Sequence, residues 1–417
     1  MSKAVIIAVG SELTSGRVTE INSGWLAHDL GHRGIDIEAV LTAADSMPGI
    51  DHMLLCARGR EPRLIVVTGG LGPTHDDMTA AAIAASLNIP VELNQDALEM
   101  VAAAVGIPAG ELRPHQVKQA TLPAGCRALP PAGTAPGFII KADGAFLVAL
   151  PGVPHEMRSM WKEAAAGSEL QLLFEAVSLR RRQSVFLYGP GESEVGAVVD
   201  GVLGDPEPGM EVTICSRYRE IMVDIVFPDE YQEPVDRLMA QIRKRFGGAV
   251  FSYGEKIAEV IGRELAAGCN TLATGESCTG GMLGEEITTV SGSSGYYRGG
   301  VVAYHNDVKR SLMKVRREAL ENVGAVSEPV AQQLALGARA VLNADYGIGI
   351  TGVAGPTGGT PEKPVGLVYV CASSGAGDVV RGFNFPGGRE DVRRASVVAA
   401  LHLLRGKILS DRLQAGG

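Results

Sequence analysis

The chain has 417 residues, 46% hydrophobic and 20% charged, with only 5% aromatics. That length implies two or three domains, and that composition is ordinary for α/β proteins with aliphatic cores. A net charge of −9 argues against a generic nucleic-acid-binding surface, and six cysteines without CxxC or Cys/His zinc spacing read as reduced thiols. The N-terminal apolar run is too short for a signal peptide and lacks a small-residue cleavage site. No run reaches membrane-spanning length, so a cytoplasmic protein without a membrane partner is expected.

In chain order, Ala4 to Val9 reads as a buried strand closed by Gly10, and Thr19 to about Leu30 as a helix. Ile35 to Leu41 alternates as a strand, Pro48 to Ala57 has helical spacing, and Arg63 to Thr68 is a second buried strand. This alternation predicts a parallel sheet with helices on both faces. After the second buried strand comes Gly69-Gly-Leu-Gly-Pro-Thr-His-Asp-Asp77. Glycines at a strand end before a helix make a candidate anion site. Asp76 and Asp77 suit a divalent cation bridging to a phosphate. The alternative is a helix cap and a solvated turn residue. Gly133-Thr-Ala-Pro-Gly137 and Leu150-Pro-Gly-Val-Pro154 are two further loops, the second following the strand Ala145 to Leu150 and opening a helix with Trp161.

From about Leu170 the pattern changes. Val177 to Tyr188 reads as a strand broken by Arg180-Arg-Arg182, Glu211 to Cys215 and Ile221 to Phe227 as strands, and Tyr231 to Phe246 as an amphipathic helix. The arginine run comes with few stacking aromatics and several acids, so nucleic acid is not the expected partner.

A helix from Glu255 to Ala267 leads to Cys269-Asn-Thr-Leu-Ala-Thr274, then to Gly275-Glu-Ser-Cys-Thr-Gly-Gly281, then to a helix from Met282. A strand, a tight turn and a helix start lift a side chain out of the sheet and aim N–H groups at what it attacks. Ser277 and Cys278 are rival nucleophiles, unless Ser277 only caps the helix. Gly299 to Tyr304 reads as a strand, with His305 to Lys309 starting a helix. A buried lysine loses part of its charge preference and can serve as base for a serine, with Tyr304 relaying the proton or orienting the amine. Gly324-Ala-Val-Ser-Glu-Pro329 is a helix entry capped by Ser327, Tyr346 to Thr351 a strand, and Gly352-Val-Ala-Gly-Pro-Thr-Gly-Gly359 a loop suited to backbone contact with phosphate or carboxamide. Val365 to Ala372 and Val379 to Phe385 read as antiparallel or edge strands, and Arg389 opens the last helix, where its fork suits a phosphate.

Gly10-Ser-Glu-Leu, Thr68 to Asp77, Gly133 to Gly137 and Leu150 to Pro154 resemble the N-terminal domain of the CinA family, similar to the molybdopterin-binding fold. Glu276 to Gly281, Val302 to Lys309, Gly324 to Ser327 and Thr351 to Gly359 resemble its C-terminal domain, the nicotinamide mononucleotide deamidase. The resemblance covers nearly the whole chain. It implies an α/β protein in three parts: a molybdopterin-binding-like three-layer α/β/α domain at 1–169, a small α+β KH-like domain at 170–253, and an α/β/α deamidase domain at 254–417.

By resemblance, Glu12, Gly70, Gly72 and Thr74 hold a nucleotide, and Asp76 and Asp77 hold a divalent metal (Mg, Mn or Co) or activate water for ADP-ribose hydrolysis. Ser277 is the nucleophile, assisted by Lys309 and Tyr304, with no cofactor. Cys278, Thr279 and Gly280, with Thr351, Gly352, Gly355, Gly358, Gly359 and Arg389, line the substrate site. The family commonly has Ala where this chain has Gly275, a change expected to be small. A homodimer is implied. Two other classes remain open from the residues: a molybdopterin-like ligand-binding protein, and a competence-associated scaffold with little catalysis.

Overall fold

The structure, a computed structural model, describes residues 2–175, 180–204 and 209–415. It divides into two compact units, Met1–Arg181 and Arg182–Gly417.

In the first unit, aliphatic runs build a six-stranded sheet in the order Asp36–Ala43, Lys3–Val9, Leu64–Thr68, Ala145–Leu150, Gly137–Ala142, Arg127–Leu129. The first four strands are parallel, which requires helical crossovers and buries both faces. Helices Met47–Arg58, Thr79–Ser86 and Gln95–Val105 cover one face, and Asn22–His32, Pro154–Ala166 and Ser168–Glu175 the other. The result is a three-layer α/β/α unit. The wholly parallel sheet expected from the alternation is corrected at its far edge, where Gly137–Ala142 runs antiparallel to both neighbours. Asp143 and Gly144, both with positive φ, turn that strand straight into the next and leave no crossover.

The second unit contains two sheets. The smaller runs Glu211–Arg217, Glu220–Phe227, Arg181–Tyr188, Val250–Ser252. Residues 177–179 of the strand expected from Val177 lie outside the described residues. The observed strand starts within the arginine run: Arg181 and Arg182 lie in it, and Arg182 donates to Asp224 at 2.8 Å. The period of two is plain here. Val185 and Leu187 face helices Glu192–Leu203 and Gln232–Phe246, whereas Phe186 and Tyr188 face the core that also holds the final helix, Arg389–Ala415. His402 of that helix stacks on Tyr188 at 3.7 Å and contacts Glu220 Oε1 at 2.7 Å.

The larger sheet runs Tyr297–Val302, Leu272–Glu276, Tyr346–Gly352, Leu367–Ser374, Gly377–Asn384, with the first three parallel and the last two antiparallel. Helices Ile257–Ala267, Met282–Thr288 and Arg389–Ala415 share the core on one face, and Glu328–Leu342 covers the other. That last helix sits unusually low. A Cβ at Gly347 or Gly349 would stand 2.3 or 2.1 Å from its carbonyl oxygens, and one at Gly275 would stand 2.8 Å from the Leu334 carbonyl oxygen. Gly275 therefore is not interchangeable with alanine here, contrary to the expectation of a small change. Ser327 precedes the helix, but its hydroxyl donates to the Gly324 carbonyl at 2.9 Å and does not cap it. Among the described residues no helix is long and apolar enough to cross a membrane.

Candidate active site

The strand Leu272–Glu276 ends one residue before Ser277, which enters the turn with its N–H on the Ile350 carbonyl at 3.0 Å. Glu276 is the residue whose role the sequence did not reveal. Its buried carboxylate accepts from the N–H groups of Gly281 and Leu283 at 3.0 Å and of Gly284 at 2.9 Å. It thus occupies the start of the following helix and ties it back to the strand end. Ser277 does not cap that helix; the cap position is Gly281, at φ +98°. The Gly280 N–H is also taken, by the Ser277 carbonyl at 3.1 Å. Among the described residues the N–H groups of Cys278 and Thr279 donate to no backbone carbonyl; both lie within reach of the Cys278 sulfur, where they favour its charged form.

Ser277 is 8% exposed and Lys309 only 2%. Ala303 N–H binds the Glu276 carbonyl at 2.7 Å, which brings the neighbouring strand end beside the turn. Lys309 reaches back from the helix Asn306–Ser311 to donate to the Tyr304 carbonyl at 2.9 Å. Among the described residues no carboxylate pairs with it. Burial lowers its pKa from the ordinary 10.5, and it lies close enough to Cys278 for each to feel the other's charge. Burial pushes the Cys278 thiol up to about 12, so it stays protonated.

Tyr304 is 58% exposed, and its hydroxyl accepts from Arg389 Nη2 at 2.9 Å. The contact between Tyr304 and Lys309 runs through the tyrosine main chain, and the ring's hydroxyl belongs to the arginine. Arg389 Nη1 donates to the Gly355 carbonyl at 2.8 Å. Gly355 has φ +80°, and a Cβ there would lie 2.5 Å from Val365, so the 352–359 loop needs glycine at that bend. Gly358 and Gly359 lie along the same loop, and Gly352 ends the strand that leads into it. Thr351 is buried with its hydroxyl on the Ala325 carbonyl at 2.7 Å, and the Thr279 side chain is wholly buried, so neither hydroxyl is displayed on the surface. Arg393, passed over in the sequence, donates to the Thr279 carbonyl from Nη2 at 2.8 Å and Nε at 3.3 Å. Helical spacing of four from Arg389 was the available signal.

In the first unit, Gly10, Gly69 and Pro151 follow the ends of three neighbouring parallel strands, where such sheets hold ligands. Thr68 Oγ1 donates to the Pro151 carbonyl at 2.8 Å, and Asn22 Nδ2 to the Gly152 carbonyl at 2.8 Å, which joins two of the loops. Gly70 has φ +67°, and the Gly72 Cα faces Asp77. Asp77 Oδ2 accepts from the Thr74 N–H at 2.8 Å and from the Thr74 hydroxyl. Glu12, Thr74 and Asp76 are exposed, and Asp76 has His75 Nδ1 at 3.6 Å. Among the described residues no three His, Cys, Asp or Glu side chains converge where they could hold a metal ion. Asp77 is committed to its own turn, so the pair does not fit a preformed metal centre.

A glycine-loop α/β/α unit of molybdopterin-binding type, followed by a unit carrying a Ser277 turn beside a buried lysine, defines a two-part class of protein. Residues 5–168 match a family model described as a probable molybdopterin binding domain, and residues 254–408 one described as the CinA C-terminal domain. A CinA-like protein of Citrifermentans bemidjiense is 35% identical over 416 residues, covering 99% of both chains. One of Mycolicibacterium vanbaalenii is 36% identical, covering 97% of this chain and 98% of that one. A CinA crystal structure from Thermoplasma acidophilum, 33% identical, covers 39% of this chain and 96% of its own, with a TM-score of 0.37. The chain belongs to the CinA family.

Proposed function

We propose that the C-terminal segment deamidates nicotinamide mononucleotide to nicotinate mononucleotide and ammonia. The observation that carries this reading is Lys309, a buried amine that has no acid partner among the described residues and a lowered pKa, beside the turn that presents Ser277. A neutral amine accepts the serine proton as Oγ attacks the carboxamide carbon. The Cys278 and Thr279 N–H groups hold the developing oxyanion; losing one such donor costs roughly 3–4 kcal/mol. The tetrahedral intermediate collapses as Lys309 passes the proton to the departing nitrogen, releasing ammonia and leaving an ester on Ser277. Water, deprotonated by the same amine, frees the carboxylate. Arg389 and the 352–359 loop supply the positive and N–H groups for phosphate and ribose. The test is incubation of the purified protein with nicotinamide mononucleotide and identification of products by mass: a carboxylate product from the wild type and none from Ser277→Ala supports the assignment, and equal turnover by both would sink it.

For the first unit we propose nucleotide binding at the 69–77 loop, with hydrolysis of ADP-ribose to AMP and ribose 5-phosphate. The joined glycine loops at adjacent strand ends favour it. Metal dependence belongs to this reading. Asp76 and Asp77 form no metal cluster by themselves among the described residues. Release of AMP, compared with and without chelator, decides between metal-dependent cleavage, unaided cleavage and binding alone. The homodimer implied by family likeness is part of the same proposal and is read by light scattering.

A further inference from the structure

We propose that Arg393 is a positioning residue of the amidase site, whose fork on the Thr279 carbonyl holds the oxyanion donors in line with Ser277; this rests on the function proposed above. The chain is intrinsically loose at this point. Gly280 and Gly281 follow each other with φ +62° and +98°, and glycine pairs have little intrinsic stiffness. A turn that must keep its N–H groups aimed within a fraction of an ångström therefore needs restraint from outside.

Two side chains supply it at different points. Glu276 fixes the far end by holding the N–H groups of Gly281, Leu283 and Gly284. Arg393 fixes the middle, with Nη2 at 2.8 Å and Nε at 3.3 Å from the same carbonyl oxygen. The only backbone partner of that oxygen among the described residues is the Met282 N–H, at 3.3 Å. Removing the guanidinium leaves the Thr279 peptide with that weak bond alone. The restraint itself is anchored: Arg393 Nη1 pairs with Glu390 at 3.2 Å, and the neighbouring Val392 and Ser396 are buried in the core. One helix thus carries two arginines with different work. Arg389 faces the glycine loop and Tyr304 and is placed for substrate, whereas Arg393 faces the protein's own turn.

The test uses the full chain carrying Arg393→Gln, with Arg393→Lys as the conservative partner. Turnover of nicotinamide mononucleotide and amide hydrogen exchange across residues 277–284 are both measured, the second without substrate. The expected result for Arg393→Gln is a kcat lower by roughly 10- to 100-fold with KM within about 2-fold, and faster exchange in the turn. Arg393→Lys, with one donor in place of two, falls between. A raised KM at unchanged kcat would overturn the proposal by making Arg393 a substrate ligand, and unchanged exchange in the Gln variant would overturn it outright. A wild type that does not deamidate the nucleotide refutes the amidase reading separately, because exchange still decides whether the turn is restrained.

Discussion

The two glycine turns, 69–77 and 275–281, share one grammar, yet their acids have opposite fates. Each has a buried strand, paired glycines, an acidic residue and a helix. In the first, Asp77 bends back onto Thr74, Asp76 stands in solvent, and the loop displays polar groups outward. In the second, Glu276 lies under the turn and consumes the helix N–H groups, while Ser277 and Lys309 are almost dry. The difference teaches that a carboxylate beside a glycine turn is buried beneath it when it precedes the turn, inside the sheet, and bends onto the turn or stands in solvent when it follows, at the surface. An open turn suits a charged ligand that arrives with its own solvation. A dry one suits a neutral amine and an uncharged carboxamide.

The strongest way to break this contrast is Ser277→Ala. It should lower deamidation about 10⁴-fold with unchanged circular dichroism, while ADP-ribose cleavage stays as in wild type. Loss of both activities would mean that the two turns do not act separately.

Next in size is Lys309. Lys309→Met should lower deamidation about 10³-fold, and Lys309→Arg should not rescue it, because a guanidinium keeps its charge. Since burial lowers the lysine pKa, the wild-type rate should rise with pH through a midpoint below 10.5. The sign for stability follows. In the window between the two values the unfolded chain binds the extra proton, so the wild type gains stability as pH rises there and is penalised as pH falls through it. Lys309→Met removes that penalty and should melt at a temperature higher by roughly 1–3 °C at neutral pH. A lower melting temperature would show that the amine is not a strained group.

Smaller effects separate the two acids of the first turn. Asp77→Ala should cost about 1 kcal/mol of stability through the lost Thr74 bonds, read by urea unfolding. Asp76→Ala should leave stability within about 0.5 kcal/mol and act only on ADP-ribose turnover. Equal destabilisation by both would remove the distinction. The smallest change is expected of Cys278→Ala, which should keep deamidation within about 3-fold, since a thiol held near 12 is no nucleophile at neutral pH. Collapse of activity in that variant would transfer the nucleophile's role.

Much of the fold was legible because its strands include continuous aliphatic runs ended by glycine, such as Lys3–Val9 and Leu64–Thr68. The candidate catalytic pair was legible as residue types at strand ends. What was hidden depends on tertiary neighbours. Nothing local says that Glu276 will cap a helix five to eight residues onward, or that Arg393 will meet Thr279, 114 residues away. The hairpin at Asp143-Gly144 did carry a signal, a two-residue DG turn between apolar runs. The one at Tyr218-Arg219 carried none, since both residues hold positive φ without being glycine. The place of Arg182 inside a strand was hidden because a run of charge looks solvated until its partner, Asp224, is found on the adjacent strand.

The glycine seat beneath Glu328–Leu342 has a mechanical consequence. With its carbonyls resting almost on Gly347 and Gly349, this helix can neither slide nor tilt without collision. It makes a stiff back wall for the strands that bear Ser277 and Thr351. Breathing of this site is left to the side away from that helix, where Arg389 links Gly355 to Tyr304 by two hydrogen bonds alone.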